Sequence, residues 1–236
     1  MKPRKFSIII IFLGGFLAFT ACIRVGEIKE STASIPLSNA ESANIQLRMA
    51  AGELNIHGAN TDVLLTGSFQ YNIKRWEPFI DHHMFGTQTR VTIEQRRSPG
   101  ITFGRTRNTW DLQLTNRIPL ELEMNFGAGR AELDLRNTLL KNINLHMGVG
   151  DADIDFSGDR SINLEGSIKG GIGHASIVLP SHIGVRIRLD GGLGSVQAPD
   201  FTKDGHIYTN EAYGKTPVSI DLEIKAGIGA IELRLR

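Results

Sequence analysis

The chain has a single cysteine in 236 residues, Cys22. With no second thiol, no intramolecular disulfide can hold the fold, even in an oxidising compartment. Sustained helical periodicity is also missing, which argues against a helical bundle. Neither sign of charge dominates: there are 26 basic and 25 acidic residues. Removing Lys2, Arg4 and Lys5 with the N-terminal segment leaves 23 basic residues against 25 acidic, so global attraction to nucleic acid is not indicated. No Ser/His/Asp or Cys/His set stands in a setting that would activate a nucleophile, and the sequence calls for no cofactor.

The first residues, "MKPRKFSIIIIFLGGFLAFTAC", account for the cysteine. A positive start (Lys2, Arg4, Lys5) precedes an apolar run from Phe6 to Phe19 that is short for a transmembrane helix. Small residues then lead into Cys22, with Phe19 where leucine is usual. The segment resembles a bacterial lipoprotein signal at residues 1–22, which implies acylation of Cys22 and a membrane as partner. Lasting attachment needs two or more acyl chains, because one binds only marginally. The expected location is the outer side of a bacterial cytoplasmic membrane or the outer membrane.

What the chain has in abundance is glycine, 26 residues, much of it as Gly-x-Gly. The pairs are Gly127 and Gly129, Gly148 and Gly150, Gly171 and Gly173, Gly192 and Gly194, and Gly227 and Gly229. An earlier copy has Ala50 before Gly52. Steps between the second glycines at 129, 150, 173 and 194 are 21, 23 and 21 residues. A recurring period in this range signals stacked units, each too small to bury its own apolar face. Within each unit apolar residues alternate: Leu122, Met124, Phe126 before the glycines and Ala131, Leu133, Leu135 after them. That is a strand with one face in a core.

The alternation changes parity across the glycines, as though one residue were inserted. A bend or bulge there keeps the apolar side inward, and glycine tolerates the backbone angles required. A phosphate cradle is excluded because the glycines lead into strands, not into the helix whose N-terminus such a loop needs. The expected fold is all-β, a β-solenoid or β-helix-like stack of repeats of roughly 21–23 residues. Each unit is expected to hold two strands of about six residues and a glycine corner.

Residues 23–43 read as a polar linker and 44–236 as one domain. Residues 44–118 form an irregular N-terminal half with the strands "DVLLTGSFQYNI", "TRVTIEQRR" and "TWDLQLTN". Residues 119–236 hold the regular repeats, interrupted by an insert at 199–217. Inserts in solenoids map to loops on one face, often the binding face.

"WDLQLTNRIPLELEMNFGAGRAELDL" and "IYTNEAYGKTPVSIDLEIKAGIGAIEL" resemble the bacterial toast-rack family. That family is a domain of unknown function related to the LiaF-like regulators of the cell-wall antibiotic response. The specific part is Tyr208, Asn210, Tyr213 to Lys215 and Pro217. The resemblance implies a solenoid-like envelope domain and supplies no catalytic residues.

Among candidate sites, His82 and His83 lie beside Asp81; neighbours on a strand face opposite ways, so a shared metal would need loop geometry, and an ordinary surface loop is the better account. Carboxylates recur outward (Glu132 and Asp134, Asp153 and Asp155, Asp221 and Glu223). With rungs about 4.8 Å apart they could align as an acidic ladder, either a solvated face or a calcium- or glycan-directed one. Arg90, Arg96, Arg97, Arg105 and Arg107 form a basic segment suited to anionic headgroups or cell-wall polymer. The expected function is that of a non-enzymatic, lipid-anchored interaction, adhesion or stress-sensing protein contacting an envelope protein or cell-wall polymer, with no metal. Tyr208, Asn210, Tyr213, Lys215, Arg96 and Arg97 are the expected contacts; a glycan-binding or weakly hydrolytic protein is the alternative. If Cys22 carries the anchor, the acylated chain co-purifies with its native membrane and a Cys22→Ser chain does not.

Overall fold

Alternating apolar residues on both sides of each Gly-x-Gly form strands that run unbroken through the glycines. The structure, a computed structural model, describes residues 26–96 and 105–236. The leader with Cys22, and Arg97, lie outside the described residues. The strands are β1 (Lys29–Pro36), β2 (Ser42–Ala59), β3 (Val63–Tyr71), β4 (Pro78–Phe85), β5 (Gln88–Gln95), β6 (Asn108–Thr115), β7 (Leu120–Asp134), β8 (Leu140–Asp155), β9 (Leu164–Leu179), β10 (Gly184–Gln197), β11 (Thr202–Asp204), β12 (Ile207–Thr209) and β13 (Ser219–Leu235). They form one sheet system in the order β1-β3-β6-β2-β7-β8-β9-β13-β10-β12-β11, with β5 also pairing β2 and β4 pairing β5.

Six long strands, β2, β7, β8, β9, β13 and β10, lie parallel and in register, each bent at its glycines into two arms. The second glycines form one row: Gly52, Gly129, Gly150, Gly173, Gly229 and Gly194. Only five residues, 135–139, return the chain from the end of β7 to the start of β8. Such a link reaches about 20 Å at most, so the two arms fold towards each other with their apolar rows between them. Ile45, Leu47, Leu122, Met124, Ile143 and Leu145 from the first arms, and Ile56, Leu133 and Ile154 from the second, are buried in one cluster.

The corner requires glycine for two reasons. Gly150 has φ +134°, a region closed to side chains, and a Cβ there would sit 1.9 Å from the Gly129 carbonyl oxygen. The first glycines are crowded in the same way: a Cβ at Gly127 would lie 2.3 Å from the Ala50 oxygen. Ala50 itself is tolerated because no bent strand precedes it. There β5 lies along the first arm of β2 and β6 along the second, so two separate strands form one split rung. The gap between them is closed by side chains. Gln95 Oε1 accepts from the amides of Ala50 (2.8 Å) and Ala51 (3.3 Å), and Asn108 Nδ2 donates to the Ala51 carbonyl (2.7 Å).

Four expectations are corrected. Consecutive repeats do not all stack: β13 lies between β9 and β10, with its glycine opposite both Gly173 and Gly194. Every rung carries the same inward pattern, so the repeat cannot name its neighbour. The linker contains β1, an edge strand in which Ile35 is its one fully buried residue; its polar outer side hides the period-two signal. Asp81, His82 and His83 belong to strand β4, opposite Thr92, Val91 and Arg90, and not to a loop. The two strands per repeat are one bent element.

Gly150→Ala should destabilise by at least about 3 kcal/mol, given the forbidden φ and the backbone clash. Gly170→Ala, with nothing within 4 Å of its new Cβ, should change stability by less than about 1 kcal/mol. Urea midpoints of the two variants would check this.

Candidate interaction surface

Because the long strands are in register, outward side chains form rows. On the first arms one row runs Asn44, Glu121, Asn142, Glu165, Asp221, Arg186; the next runs Gln46, Glu123, Asn144, Ser167, Glu223, Arg188. Amides and carboxylates bond along and across them. Asn44 Nδ2 donates to Glu123 (3.0 Å), Gln46 Nε2 to Glu123 (3.3 Å) and Asn144 Nδ2 to Asn142 (2.8 Å). Between β8 and β10 this face has a shallow groove of about 480 Å³, edged by Asn142, Asn144, Glu165, Arg186, Arg188 and Glu223. Paired donors and acceptors on a flat, rigid face suit a polar, hydroxyl-rich ligand.

The expected acidic ladder is divided. Glu132 and Asp153 are partners on the second arms, as are Asp134 and Asp155, whereas Asp221 and Glu223 lie on the first arm. Each carboxylate meets a cation. Arg130 contacts both Glu132 and Asp153 at 2.9 Å; Arg136 contacts Asp134 at 2.6 Å and Asp155 at 3.6 Å. The Arg136 hydrogen bond holds the Asp134 carboxyl below its ordinary range. Glu223 is likewise lowered by its hydrogen bond with Lys225. Among the described residues no group of three or more His, Cys, Asp or Glu is placed to hold a metal. His83 bonds Asp81 at 3.0 Å. His82 belongs to the opposite side of the strand, since neighbouring strand residues alternate faces.

The 199–217 insert covers the first arm of β10 at one end of the stack. β12 pairs antiparallel with the first arm of β10, Tyr208 facing Ile187 in the register. Tyr208 is buried, with Lys203 Nζ 5.4 Å from its ring. Asn210 is 4% exposed; its Oδ1 accepts from the Val185 amide (2.8 Å) and its Nδ2 donates to the carbonyls of Ile183 (2.7 Å) and Pro180 (3.3 Å). These two residues therefore fasten the insert and are not free for a partner. Tyr213 is half-buried with Arg186 5.7 Å from its ring, and Arg186 in turn pairs with Asp221; the insert's own residue on the groove is Ile207. Lys215 is exposed and pairs with Glu211 at 3.5 Å.

The basic segment does not form one patch. Arg90 stacks over Phe85 (5.4 Å) near the β4–β5 turn, while Arg96 stacks over Phe79 (5.9 Å) beyond the other end of β5. The two arginines are six positions apart along the chain, about 20 Å. Arg105 and Arg107 join Arg96 near the corner, where the Arg107 amide donates to Asn72 Oδ1 (2.7 Å).

Three features were not anticipated: the Gln95 and Asn108 caps, the polar groove, and the middle residues of the Gly-x-Gly units. Val149, Ile172 and Ile228 are respectively 50%, 54% and 54% exposed and lie side by side in the register. Their apolar character was visible in the sequence, but alternation alone would have pointed them inward.

The family model described as "N-terminal domain of toast_rack, DUF2154" matches residues 24–178. The chain belongs to the toast-rack family. A second model, "Cell wall-active antibiotics response LiaF, C-terminal", matches residues 128–233, so the corners at Gly129, Gly150 and Gly173 fall within both and those at Gly194 and Gly229 within the second alone. Among solved structures, a candidate cell adhesion protein from Clostridium sporogenes is 35% identical with a TM-score of 0.86, covering 89% of this chain and 100% of its own. Candidate adhesins from Bacteroides fragilis and Parabacteroides distasonis, each 12% identical, have TM-scores of 0.30. The first covers 90% of this chain and 99% of its own, the second 88% and 97%. No curated protein matches significantly. Among the described residues no helix is long and apolar enough to cross a membrane.

Asn210→Ala leaves three buried backbone groups without a partner and should lower stability by about 2–3 kcal/mol. Lys215→Ala, which breaks one exposed ion pair, should cost no more than about 0.5 kcal/mol. Thermal melts of the two variants would separate the roles.

Proposed function

We propose that this toast-rack protein is a non-enzymatic, lipid-anchored component of the bacterial cell envelope that holds a cell-wall polymer or envelope protein on the outward face of its first arms. The observation that carries the reading is the in-register polar face between β8 and β10, with its groove of about 480 Å³. Support also comes from the similarity over 89% of the chain to a candidate cell adhesion protein and from the cell-wall-active antibiotic response model over residues 128–233. Rows of side chains at one-rung spacing repeat a contact along an extended polymer, which raises avidity without requiring a deep pocket. Arg186, Arg188 and Asp221 form one wall of that groove, with Tyr213 behind Arg186, and Lys215 is a secondary contact. Attachment through acylated Cys22 holds the face close to the wall.

The carboxylates Glu132, Asp134, Asp153, Asp155, Asp221 and Glu223 are engaged by arginines and a lysine, which suits binding better than acid–base turnover. Binding of the purified full chain to envelope polysaccharides would test this. Replacing Asn144 and Glu165 together with Ala should weaken binding about tenfold, the equivalent of about one net hydrogen bond. Unchanged affinity would remove the groove from consideration. New reducing ends that cease with Asp153→Asn would instead establish a hydrolase.

A further inference from the structure

The glycine corners form more than an internal hinge line. The row of second glycines continues past Gly52 to Asn108 of β6, Tyr71 of β3 and Lys29 of β1. Residues 72–77, which cross between the arms at the N-terminal end, lie at this same edge, as do Arg96 after β5 and residues 105–107 before β6. Nine strands therefore meet one edge of the molecule, roughly 38 Å long at the usual strand spacing.

Two kinds of side chain are concentrated there. Val149, Ile172 and Ile228 form a continuous exposed apolar ridge, and Ile28, 59% exposed, lies at the far end of the row. Apolar side chains stacked on neighbouring rungs make a patch, unlike the singly scattered ones of ordinary surfaces. Lys169 and Lys225 are partnered positions on β9 and β13, three residues before Ile172 and Ile228. Lys74, Arg75, Arg96 and Arg107 are exposed in these segments. Glu53, Asp151 and Asp190 also lie near the edge, so the cationic excess is moderate.

The chain also emerges here. The Gly26 amide donates to the Asn72 carbonyl (2.8 Å), one residue beyond Tyr71 of the corner row. From Cys22 to Gly26 the chain reaches at most about 14 Å. A membrane attached at Cys22, or at the apolar run before it, is thus held against one end of this edge.

We propose that the glycine-corner edge lies on an anionic phospholipid bilayer, with the Val149, Ile172 and Ile228 ridge entering the headgroup boundary and the lysines and arginines meeting headgroup phosphates. An apolar stripe flanked by cations is the arrangement that binds such an interface. The polymer-binding face of the first arms then stands across the membrane plane. This orientation rests on the membrane-attached reading above, and the experiment separates the two.

The full chain is incorporated into vesicles of phosphatidylcholine and phosphatidylglycerol whose acyl chains carry bromine, a quencher of tryptophan. Ile172→Trp and Ile228→Trp report on the ridge. Phe85→Trp, on the opposite edge and 59% exposed before substitution, is the control. The expected result is a blue shift and loss of emission for both ridge variants beyond the parent chain, with no gain for the control. Adding Lys169→Glu and Lys225→Glu should reduce the quenching. Vesicle-bound chain whose ridge variants behave as the parent overturns the orientation while leaving attachment standing. Failure of the chain to associate with vesicles overturns both. A ridge variant that is already blue-shifted without lipid, in a chain eluting as a dimer, would assign the ridge to a second copy and overturn the proposal.

Discussion

The close approach of each corner carbonyl to the next strand is the constraint from which the rest of the architecture follows. At the Gly129 and Gly150 positions the oxygen of one rung occupies the space where a Cβ of the next would sit. Six strands can bend at the same point and remain in register only if that space is empty on every rung. Once the bend is shared, the apolar residues of both arms face each other, and a core forms from units that could not enclose one alone. Ala50 marks the end of the rule: it has no preceding bent strand, and Gln95 and Asn108 supply the missing hydrogen bonds.

The same stacking leaves strand edges at both ends, which must be covered to avoid uncontrolled pairing with other chains. The N-terminal end is closed by two antiparallel pieces, β4–β5 on one arm and β1-β3-β6 on the other, with Phe69 and Trp110 packed edge to face at 5.6 Å between β3 and β6. The C-terminal end is covered along the first arm of β10 by the β12 latch, held by Asn210. Its resemblance-bearing residues are therefore largely explained by architecture: Tyr208 and Asn210 secure an edge, and Tyr213 packs against Arg186 of the groove wall.

Register also divides the surface into faces of different chemistry. Side chains one rung apart repeat, so each outward row carries a sustained character: amides and carboxylates on the first arms, carboxylate–arginine pairs on the second, apolar side chains on the corner. A stack of nearly identical rungs can in this way present a polar face and an apolar edge, each set by the position its residues hold within the repeat.

The strand pattern, the corner glycines and the all-β stack were legible in the chain because period-two burial and glycine placement are local properties. Which strands are neighbours was not, since β9, β13 and β10 share one inward pattern and any of their orders would bury the same residues. The polarity of the outward residues was equally readable, but not their grouping: the bend assigns Asp153 and Glu223 to different faces, although both occupy outward positions in their repeats. By itself the sequence determined that the chain bends at its paired glycines with its apolar residues enclosed. Only the tertiary structure decided which rows meet, where the chain emerges and which apolar side chains remain outside, because those depend on contacts between rungs distant along the chain.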